Sequence, residues 1–242
     1  MKCIILAAGY ATRLYPLTKD FPKPLLPVGK KPIAQWLTDD LDGTCDAFAV
    51  VTNHRFANHF RAWAGTVPQD ITVVDDGTSS NETRLGAVKD IQFTLEALGI
   101  DEDCLVMAGD NVLDFSLKGF VEYARASGTS AVMCHEETRP EALRKTAVIT
   151  VDPDGIITSY EEKPMEPKGH LAVPPFYYYR AEDLRRIPEA LKAGCGSDAP
   201  GSLAAWLSAR TPMHAYPMPG RRYDIGDIKS YESVQAIWKD RA

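Results

Sequence analysis

The first strong hydrophobic pattern in the chain is an uninterrupted apolar run from Cys3 to Ala8, which ends at Gly9. Apolar residues at successive rather than alternate positions predict a strand over 2–8 that is buried on both faces. The next segment, 9–31, contains four prolines and no helical periodicity. It therefore predicts a long loop at the end of that strand, and long loops in such positions tend to carry function.

An alternation of strands and helices follows this loop. The predicted strands are 47–52, 71–74, 104–108 and 130–134, and the predicted helices are 32–41, 56–64, 86–98 and 117–127. Such an alternation predicts right-handed β-α-β units in an α/β fold, with a mostly parallel sheet and helices on both faces. Ligands bind such sheets at the carboxyl ends of the strands, where the loop opened by Gly9 and the loops 75–84 and 109–111 would lie.

The pattern changes after about residue 145. Predicted strands 146–151 and 156–161 flank Asp152-Pro153-Asp154-Gly155, a strong hairpin turn signal. A further strand is predicted over 172–180, where Pro174-Pro175 would confine its start to an edge or a bulge. Helices over 181–193 and 200–209 follow, the second with Asp198 as a possible N-cap, and then a strand near 214–218 and a helix over 229–239. We expect this half to extend the sheet into a lid or acceptor subregion.

Composition and charge exclude several classes of protein. The 242 residues are 45% hydrophobic and 25% charged, which is typical of a globular chain that forms one large domain. The net charge of -6 argues against binding to nucleic acid or to acidic membranes, although a few cations at one site can still bind a phosphorylated substrate. Five dispersed cysteines and no signal or membrane segment favour a reducing, cytoplasmic location.

The loop after the first strand is the first candidate site. A glycine turn presents successive backbone N–H groups to an anion, and Arg13 and Lys23 would add positive charge. The chain has no G-x-x-x-x-G-K-[ST] motif, and Gly9 lacks the further glycines of a dinucleotide fingerprint. From the residues alone, a surface loop with two solvated cations is an equally good interpretation.

Three further segments carry candidate polar groups. Asp110, in Gly109-Asp110-Asn111 at the end of a strand, could hold Mg²⁺ through oxygen ligands, or could belong to an Asp-Asn turn. Asp224 lies 114 residues further on, and spacing alone does not join the two carboxylates. Lys163 ends Glu161-Glu162-Lys163-Pro164 and could bind a phosphate monoester, or could belong to a solvated charge run.

Five motifs in this order resemble those of the sugar-1-phosphate nucleotidylyltransferases, the pyrophosphorylase family. They are L-A-A-G-x-x-T-R-L from Leu6, P-K-P-L-L-P-V-G from Pro22, G-D-N from Gly109, E-E-K-P from Glu161 and Y-D-I-G-D from Tyr223. The resemblance extends from Met1 to about Tyr231. It implies a small member with a Rossmann-like, mostly parallel mixed sheet in a single domain, 1–242. Residues 1–135 would form the nucleotide-binding half, and 136–242 the acceptor-binding half with the C-terminal helix.

The resemblance implies a Mg²⁺-dependent transfer of a nucleoside monophosphate from a nucleoside triphosphate to a sugar 1-phosphate, with release of pyrophosphate. Nucleic acid and membrane are not expected partners, whereas a homo-oligomer is compatible with the resemblance. The implied nucleotide-binding residues are Leu6, Ala8, Gly9, Thr12, Arg13, Lys23, Asn81, Gly86 and Asp110, of which Arg13, Lys23 and Asp110 would be catalytic. The implied acceptor-binding residues are Glu162, Lys163, Tyr178 and Asp224, and the implied Mg²⁺ ligands are Asp110 and Asp224.

The sequence also departs from the family pattern. Ala11 replaces a second loop glycine, which is tolerable if the φ angle of that residue stays negative. Glycine elements of the sugar pocket are replaced by Thr146-Ala147 and by the segment 173–176, so we expect an altered pocket. The nucleobase stays open.

Two alternative functions remain at this point. One is a cytidylyltransferase for phosphocholine or a similar phosphomonoester, with an aromatic cage built from residues 176–179 and Trp206. The other is an inactive sensor of nucleotide sugars. The sensor is disfavoured because all five motif residues with expected roles in charge neutralisation or metal binding are present: Arg13, Lys23, Asp110, Lys163 and Asp224.

Overall fold

The computed structural model describes residues 1–239, which form two compact units that interleave along the chain. The first unit comprises Met1–Leu85, Ala108–Lys118 and the segment from residue 220, and the second comprises Gly86–Met107 and Gly119–Pro219. The strands are β1 (Lys2–Leu6), β2 (Pro27–Val28), β3 (Lys31–Pro32), β4 (Ala47–Thr52), β5 (Ile71–Asp75), β6 (Cys104–Ala108), β7 (Asn111–Leu113), β8 (Ser130–Glu136), β9 (Ala147–Val151), β10 (Ile157–Glu162), β11 (Leu171–Val173), β12 (Phe176–Tyr179), β13 (Met213–Pro217) and β14 (Arg222–Asp224). The helices are α1 (Ile33–Asp40), α2 (Ala57–Ala64), α3 (Ala87–Leu98), α4 (Lys118–Ser127), α5 (Pro140–Leu143), α6 (Ala181–Leu184), α7 (Ile187–Lys192), α8 (Gly201–Ser208) and α9 (Ile228–Trp238).

A parallel sheet forms the centre of the first unit. β4 pairs with β1 on one side and with β5 on the other, and both pairings are parallel. Ile4 and Ile5 of β1 are fully buried, as the uninterrupted apolar run predicts. The three strands therefore present their carboxyl ends, and the loops that follow them, at one edge.

A second layer of the first unit is built around a short antiparallel pair, β7 with β14. Neither strand was predicted from the sequence pattern. A cluster of buried apolar side chains packs here and includes Leu14 of the first loop, Val112 of β7, Ile225 beside β14 and Trp238 of α9. The loop after β1 and the C-terminal helix thus share one hydrophobic cluster, which fixes the loop to the rest of the unit.

The second unit has a mixed sheet with mainly antiparallel pairing. β12 is antiparallel to both β6 and β8, β11 to both β8 and β9, and β10 to β9, whereas β13 is parallel to β8. The hairpin of β9 and β10 confirms the predicted turn. Antiparallel pairing is more extensive than the alternating pattern indicated, because strands joined by short connections after residue 140 return alongside their neighbours.

Prolines account for three differences between the predicted and the observed elements of the second unit. The predicted strand 172–180 is divided into β11 and β12 by Pro174-Pro175, although both strands are paired on both sides. The predicted helix 181–193 is two short helices, because Pro188 lies in the first turn of α7 and cannot continue a preceding helix. Pro200 directly precedes α8 without a side-chain cap, so the prediction of Asp198 as N-cap was wrong.

The compact units have other boundaries than the predicted halves 1–135 and 136–242. The segment 86–107, with α3, packs in the second unit, and the segment 220–239, with β14 and α9, packs in the first. Within residues 1–239, no helix combines the length and the apolar character needed to cross a membrane.

Candidate active site

A cavity of about 180 Å³ opens beside the loop that follows β1. Its lining includes five of the residues predicted to bind nucleotide, namely Leu6, Gly9, Arg13, Lys23 and Asp110, together with Gly226 from the segment after β14. A Cβ atom on Gly9 would have no neighbour within 4 Å, so the glycine faces open space. The structure thus brings the first two loop motifs and the G-D-N motif together around one cavity.

The backbone of this loop is held from behind by the end of β4. The side-chain amide of Asn53 donates to the carbonyl oxygen of Ala8 at 2.9 Å, and the hydroxyl of Thr52 donates to that of Ala7 at 3.3 Å. Both Thr52 and Asn53 are fully buried. Ala8 and Thr12, which were predicted to contact nucleotide, do not line the cavity; Thr12 begins a short 3-10 helix and is exposed.

Ala11 adopts a left-handed backbone, with φ 45° and ψ 43°. The condition under which alanine would be tolerated without strain, a negative φ, is therefore not met. Its carbonyl oxygen accepts hydrogen bonds from the Thr18 hydroxyl at 2.8 Å and from the Leu14 amide at 3.0 Å, and these bonds hold the turn. A non-glycine residue in this conformation stores strain of about 1–2 kcal/mol.

Lys23 and Asp110 form an ion pair at the cavity, with 2.7 Å between the Lys23 Nζ and an oxygen of Asp110. The Lys23 side chain is 8% exposed and that of Asp110 is 35% exposed. The other oxygen of Asp110 accepts a hydrogen bond from the side-chain amide of Asn111 at 2.9 Å. Both carboxylate oxygens therefore have partners, and the position of the carboxylate is fixed.

Asp224 lies opposite Asn111 in the β7–β14 pair. The Arg222 guanidinium donates to the side-chain oxygen of Asn111 at 2.7 Å and lies 3.9 Å from an oxygen of Asp224. These contacts connect Lys23, Asp110, Asn111, Arg222 and Asp224 in one polar network. Arg222 was not among the predicted site residues, although the Arg221-Arg222 doublet, which only Tyr223 separates from Asp224, was a usable signal.

The donor set of Asp110 and Asp224 fits a Mg²⁺ ion. Mg²⁺ in phosphoryl-transfer sites is held by one or two carboxylates, and substrate phosphates and water supply the remaining oxygens. Asp224 ends β14, and Asp110 directly precedes β7, the partner strand of β14. The Asp224 side chain is 55% exposed, so its oxygens are accessible. Residues 1–239 contain no cluster of three or more carboxylate, histidine or cysteine groups arranged for a metal.

A second cavity, of about 230 Å³, lies in the second unit at the end of the β9–β10 hairpin. Its lining includes Glu162 and Lys163 of the E-E-K-P motif, and also Thr146, Ala147, Val173 and Pro175. The last four occupy the positions at which the sequence predicts an altered sugar pocket. Lys163 has φ 48°, a left-handed conformation that breaks the strand alternation directly at the cavity.

The carboxyl group of Glu162 is held in a confined environment. Burial raises the pKa of Glu162 above its ordinary value, and the nearby charge of Lys163 opposes this rise. A Cβ atom on Gly201 would collide with the Glu162 carboxylate, so glycine at the start of α8 makes room for it. The phenol of Tyr160 also lies beside Gly201, and burial raises its pKa strongly. Glu162 thus forms part of the cavity wall.

Tyr178 lies outside this cavity, whereas Tyr177 lines it. The Tyr178 hydroxyl donates to Asp103 at 2.8 Å, and burial raises its pKa to about 12. The rings of Tyr177 and Tyr179 stack on each other at 5.7 Å between centroids, as same-face residues of β12 would. Residues 176–179 are at most 2% exposed, so they form a packed core and not the open cage considered for a quaternary ammonium group.

The two predicted base-site residues, Asn81 and Gly86, have local partners of their own. The side-chain oxygen of Asn81 accepts a hydrogen bond from the Arg84 guanidinium at 3.0 Å. Gly86 has φ 92°, and a Cβ atom there would lie 2.6 Å from the carbonyl oxygen of Ser197. The backbone around Ser197 therefore fills the side-chain position of Gly86, which explains why the residue is glycine without reference to a base.

Known proteins resemble this chain in sequence and in fold. Residues 2–241 match the sequence model described as nucleotidyl transferase. A UTP–glucose-1-phosphate uridylyltransferase of Synechocystis sp. is 27% identical over 96% of this chain and 61% of its own length. A glucose-1-phosphate thymidylyltransferase of Mycolicibacterium smegmatis is 35% identical over 74% of this chain and 61% of its own length. A solved UDP-glucose pyrophosphorylase complexed with UDP-glucose shares the fold, with a TM-score of 0.82, 22% identity and coverage of 100% of this chain and 99% of that one.

The family model matches nearly the whole of this sequence. The chain spans about three fifths of the length of the two curated relatives. The resemblance seen in the five motifs and the expected mixed α/β fold are both confirmed. The chain belongs to the nucleotidyl transferase family.

Proposed function

We propose that this chain transfers a nucleoside monophosphate from a nucleoside triphosphate to a sugar 1-phosphate. The observation that carries the proposal is the polar network of Lys23, Asp110, Asn111, Arg222 and Asp224 beside the Gly9 loop. Relatives named as uridylyl- and thymidylyltransferases of glucose 1-phosphate support this reaction class. A phosphate oxygen of the acceptor attacks the α-phosphorus, the bond between the α-phosphorus and the bridging oxygen breaks, and pyrophosphate leaves.

The first unit would bind the triphosphate. Backbone groups of the Gly9 loop approach the phosphates without a side chain in the way, and the exposed Arg13 supplies positive charge. Lys23, held by Asp110, supplies a second positive charge in a fixed position. Transfer of this kind requires mainly positioning and charge neutralisation, so no covalent nucleophile is needed.

Asp110 and Asp224 would hold Mg²⁺. When bound, this ion would neutralise charge on the phosphates. Asn111 and Arg222 fix the two carboxylates, because Asn111 donates to Asp110 and Arg222 joins Asn111 to Asp224.

The second unit would bind the acceptor. Lys163 would hold the phosphate of the acceptor as a compact point charge, and Glu162 would contact its polar groups. Lys163 keeps a strained left-handed backbone at this cavity, and such strain is frequent at functional positions.

The phosphocholine alternative has no support. The relatives named above transfer uridylyl and thymidylyl groups, and the aromatic residues considered for a cage are buried. An inactive nucleotide-sugar sensor would bind a triphosphate without releasing pyrophosphate, so the experiment that follows distinguishes it from an enzyme.

The decisive experiment measures pyrophosphate release in the presence of Mg²⁺. ATP, GTP, CTP, UTP and dTTP are each combined with glucose 1-phosphate, other hexose 1-phosphates and phosphocholine. We expect release with at least one triphosphate and a sugar 1-phosphate, and loss of that release in Asp110→Ala. Activity that is undiminished in Asp110→Ala would overturn the assignment.

A further inference from the structure

A second lysine, Lys145, lines the proposed acceptor cavity of the second unit and was not among the predicted site residues. Lys145 and Lys163 both line this cavity. Among residues 1–239, no carboxylate forms an ion pair with either lysine, although Lys168 pairs with Glu161 at 3.0 Å close by. Two lysines without ion-pair partners at one cavity can bind two anionic groups of a ligand.

The backbone explains why the two lysines meet at one cavity. Glu162 lies opposite Ala147 in the β9–β10 ladder, and the amide of Lys163 donates to the carbonyl oxygen of Thr146 at 3.2 Å. Lys145 and Lys163 therefore lie at neighbouring strand ends. Regular alternation would direct Lys163 and Glu162 to opposite faces, but the positive φ of Lys163 interrupts it, and both residues line the cavity.

Two carboxyl groups, Glu162 and Asp198, also line the cavity. The Glu162 carboxylate lies against Gly201 and beside the Tyr160 phenol, and it forms no ion pair with either lysine. Both lysines therefore remain available to bind anionic groups of the acceptor.

We propose, on the basis of the proposed function, that the physiological acceptor carries a carboxylate in addition to its phosphate. Lys163 binds the phosphate and Lys145 binds the carboxylate, so the substrate class is an acidic sugar 1-phosphate. The additional carboxylate takes no part in bond making or breaking, because the phosphate oxygen remains the nucleophile and pyrophosphate remains the leaving group. The replacement of the expected glycines by Thr146-Ala147 and Val173-Pro174-Pro175 agrees with a pocket shaped for a different sugar.

Glucose 1-phosphate and glucuronic acid 1-phosphate form a matched pair of probes, because they differ only in a hydroxymethyl or a carboxylate group at C6. The triphosphate is the one that gives the highest turnover in the pyrophosphate-release experiment. The proteins are the full chain and its Lys145→Met, Lys145→Arg and Lys192→Met variants. Lys192 is an exposed lysine at the end of α7 and serves as the control for loss of one surface charge.

We expect the wild type to prefer the acidic acceptor in kcat/KM. Lys145→Met should lower kcat/KM for glucuronic acid 1-phosphate ten- to a hundredfold more than for glucose 1-phosphate, since a hydrogen bond to a charged group is worth about 1.5–3 kcal/mol. The loss should fall mainly on KM, Lys145→Arg should restore most of it, and Lys192→Met should match the wild type. An equal loss with both acceptors would place Lys145 at the shared phosphate and overturn the proposal, as would an equal preference for the two acceptors in the wild type.

A binding measurement separates this proposal from the proposed function. Calorimetric titration of each sugar phosphate into the full chain and into Lys145→Met requires no turnover. Tighter binding of glucuronic acid 1-phosphate that is lost in Lys145→Met supports the acidic acceptor even if no triphosphate releases pyrophosphate. Equal affinity for the two sugar phosphates overturns it even if the transferase reaction is observed.

Discussion

Asp224 lies directly opposite Asn111 in a short antiparallel strand pair, and Asn111 is the immediate neighbour of Asp110. Asp224 is the last residue of β14, and Asp110 directly precedes β7, so two carboxylates that are 114 residues apart in sequence lie at the same end of one short strand pair. Arg222 connects the two strands by donating to Asn111 and approaching Asp224. This pairing is the physical basis of the proposal that Asp110 and Asp224 would hold the same cation.

Substitutions of Asp110 and Asp224 should both lower activity but should differ in their effect on stability. Asp110→Asn and Asp224→Asn should each lower kcat/KM about a hundredfold or more, because each removes charge that would hold the cation at the phosphates. Asp110→Asn should also cost about 1–2 kcal/mol of unfolding free energy, since buried Lys23 loses its partner, whereas exposed Asp224→Asn should change it by less than about 0.5 kcal/mol. Pyrophosphate release and urea denaturation measure the two effects.

The control for these two variants is Asp154→Asn, in the exposed hairpin turn of the second unit. It should leave both quantities unchanged. Near-normal turnover in Asp224→Asn would contradict a shared role for the two aspartates.

Arg222 should position Asn111 and Asp224 without contacting the reacting atoms. Arg222→Met leaves the side-chain oxygen of fully buried Asn111 without its 2.7 Å hydrogen bond, which should cost about 1–3 kcal/mol of unfolding free energy. We expect kcat to fall about tenfold as the carboxylates lose their fixed geometry, while the KM for the triphosphate changes little. Arg222→Lys should restore part of the loss, and exposed Arg221→Met should behave as wild type. A KM effect alone would instead indicate direct contact between Arg222 and the triphosphate.

The sequence predicted best those elements whose pattern is long or extreme. The apolar run of β1, the Asp-Pro-Asp-Gly turn and the loop residues Gly9, Arg13 and Lys23 all lie where the pattern indicated. β7 and β14 were missed because three residues are too few to show a period, and their pairing depends on tertiary contacts.

The face of β12 that borders the cavity at Lys163 also could not be predicted. Tyr177, Tyr178 and Tyr179 are all buried, so hydrophobicity does not distinguish the two faces of the strand. Tyr178 was predicted to lie at the acceptor pocket, whereas in the structure Tyr177 lines the cavity. The reason for glycine at position 86 also could not be predicted. Its close contact with the Ser197 backbone forms only when the fold brings these two distant segments together.

The left-handed conformation of Ala11 predicts an unusual response to glycine. Ala11→Gly should raise the unfolding free energy by up to about 1 kcal/mol, because relief of strain at φ 45° outweighs the greater freedom of glycine in the unfolded chain. The matched control is Ala205→Gly inside α8, which should lower it by about 1 kcal/mol. Urea denaturation measures both, and equal destabilisation by the two substitutions would mean that Ala11 is not strained.

Gly86 should prove essential to the second unit independently of any nucleotide. Gly86→Ala introduces a Cβ atom 2.6 Å from the Ser197 carbonyl oxygen at a φ of 92°, so we expect a loss of about 2–3 kcal/mol in unfolding free energy. Gly194→Ala, at φ 87° but with open space around its Cβ position, is the control and should lose less. Thermal unfolding of the ligand-free protein distinguishes this role from base contact, which would weaken triphosphate binding without lowering the melting temperature.

Asp76, at the end of β5, should make stability depend on pH. It is 8% exposed, one of its oxygens accepts from the Thr78 amide and hydroxyl, and burial raises its pKa above the ordinary value, with Asp75 adding to the rise. Between the pKa of the unfolded chain, about 3.9, and the higher pKa of the folded state, the folded protein binds more protons, so stability falls as pH rises through this window. Asp76→Asn removes that penalty. In urea denaturation, the unfolding free energy of the variant minus that of the wild type should therefore be more positive at about pH 7 than at about pH 4. The control Asp70→Asn, at an exposed position, should show no such change with pH. Equal differences at both pH values for Asp76→Asn would show that the buried Asp76 charge does not make stability depend on pH.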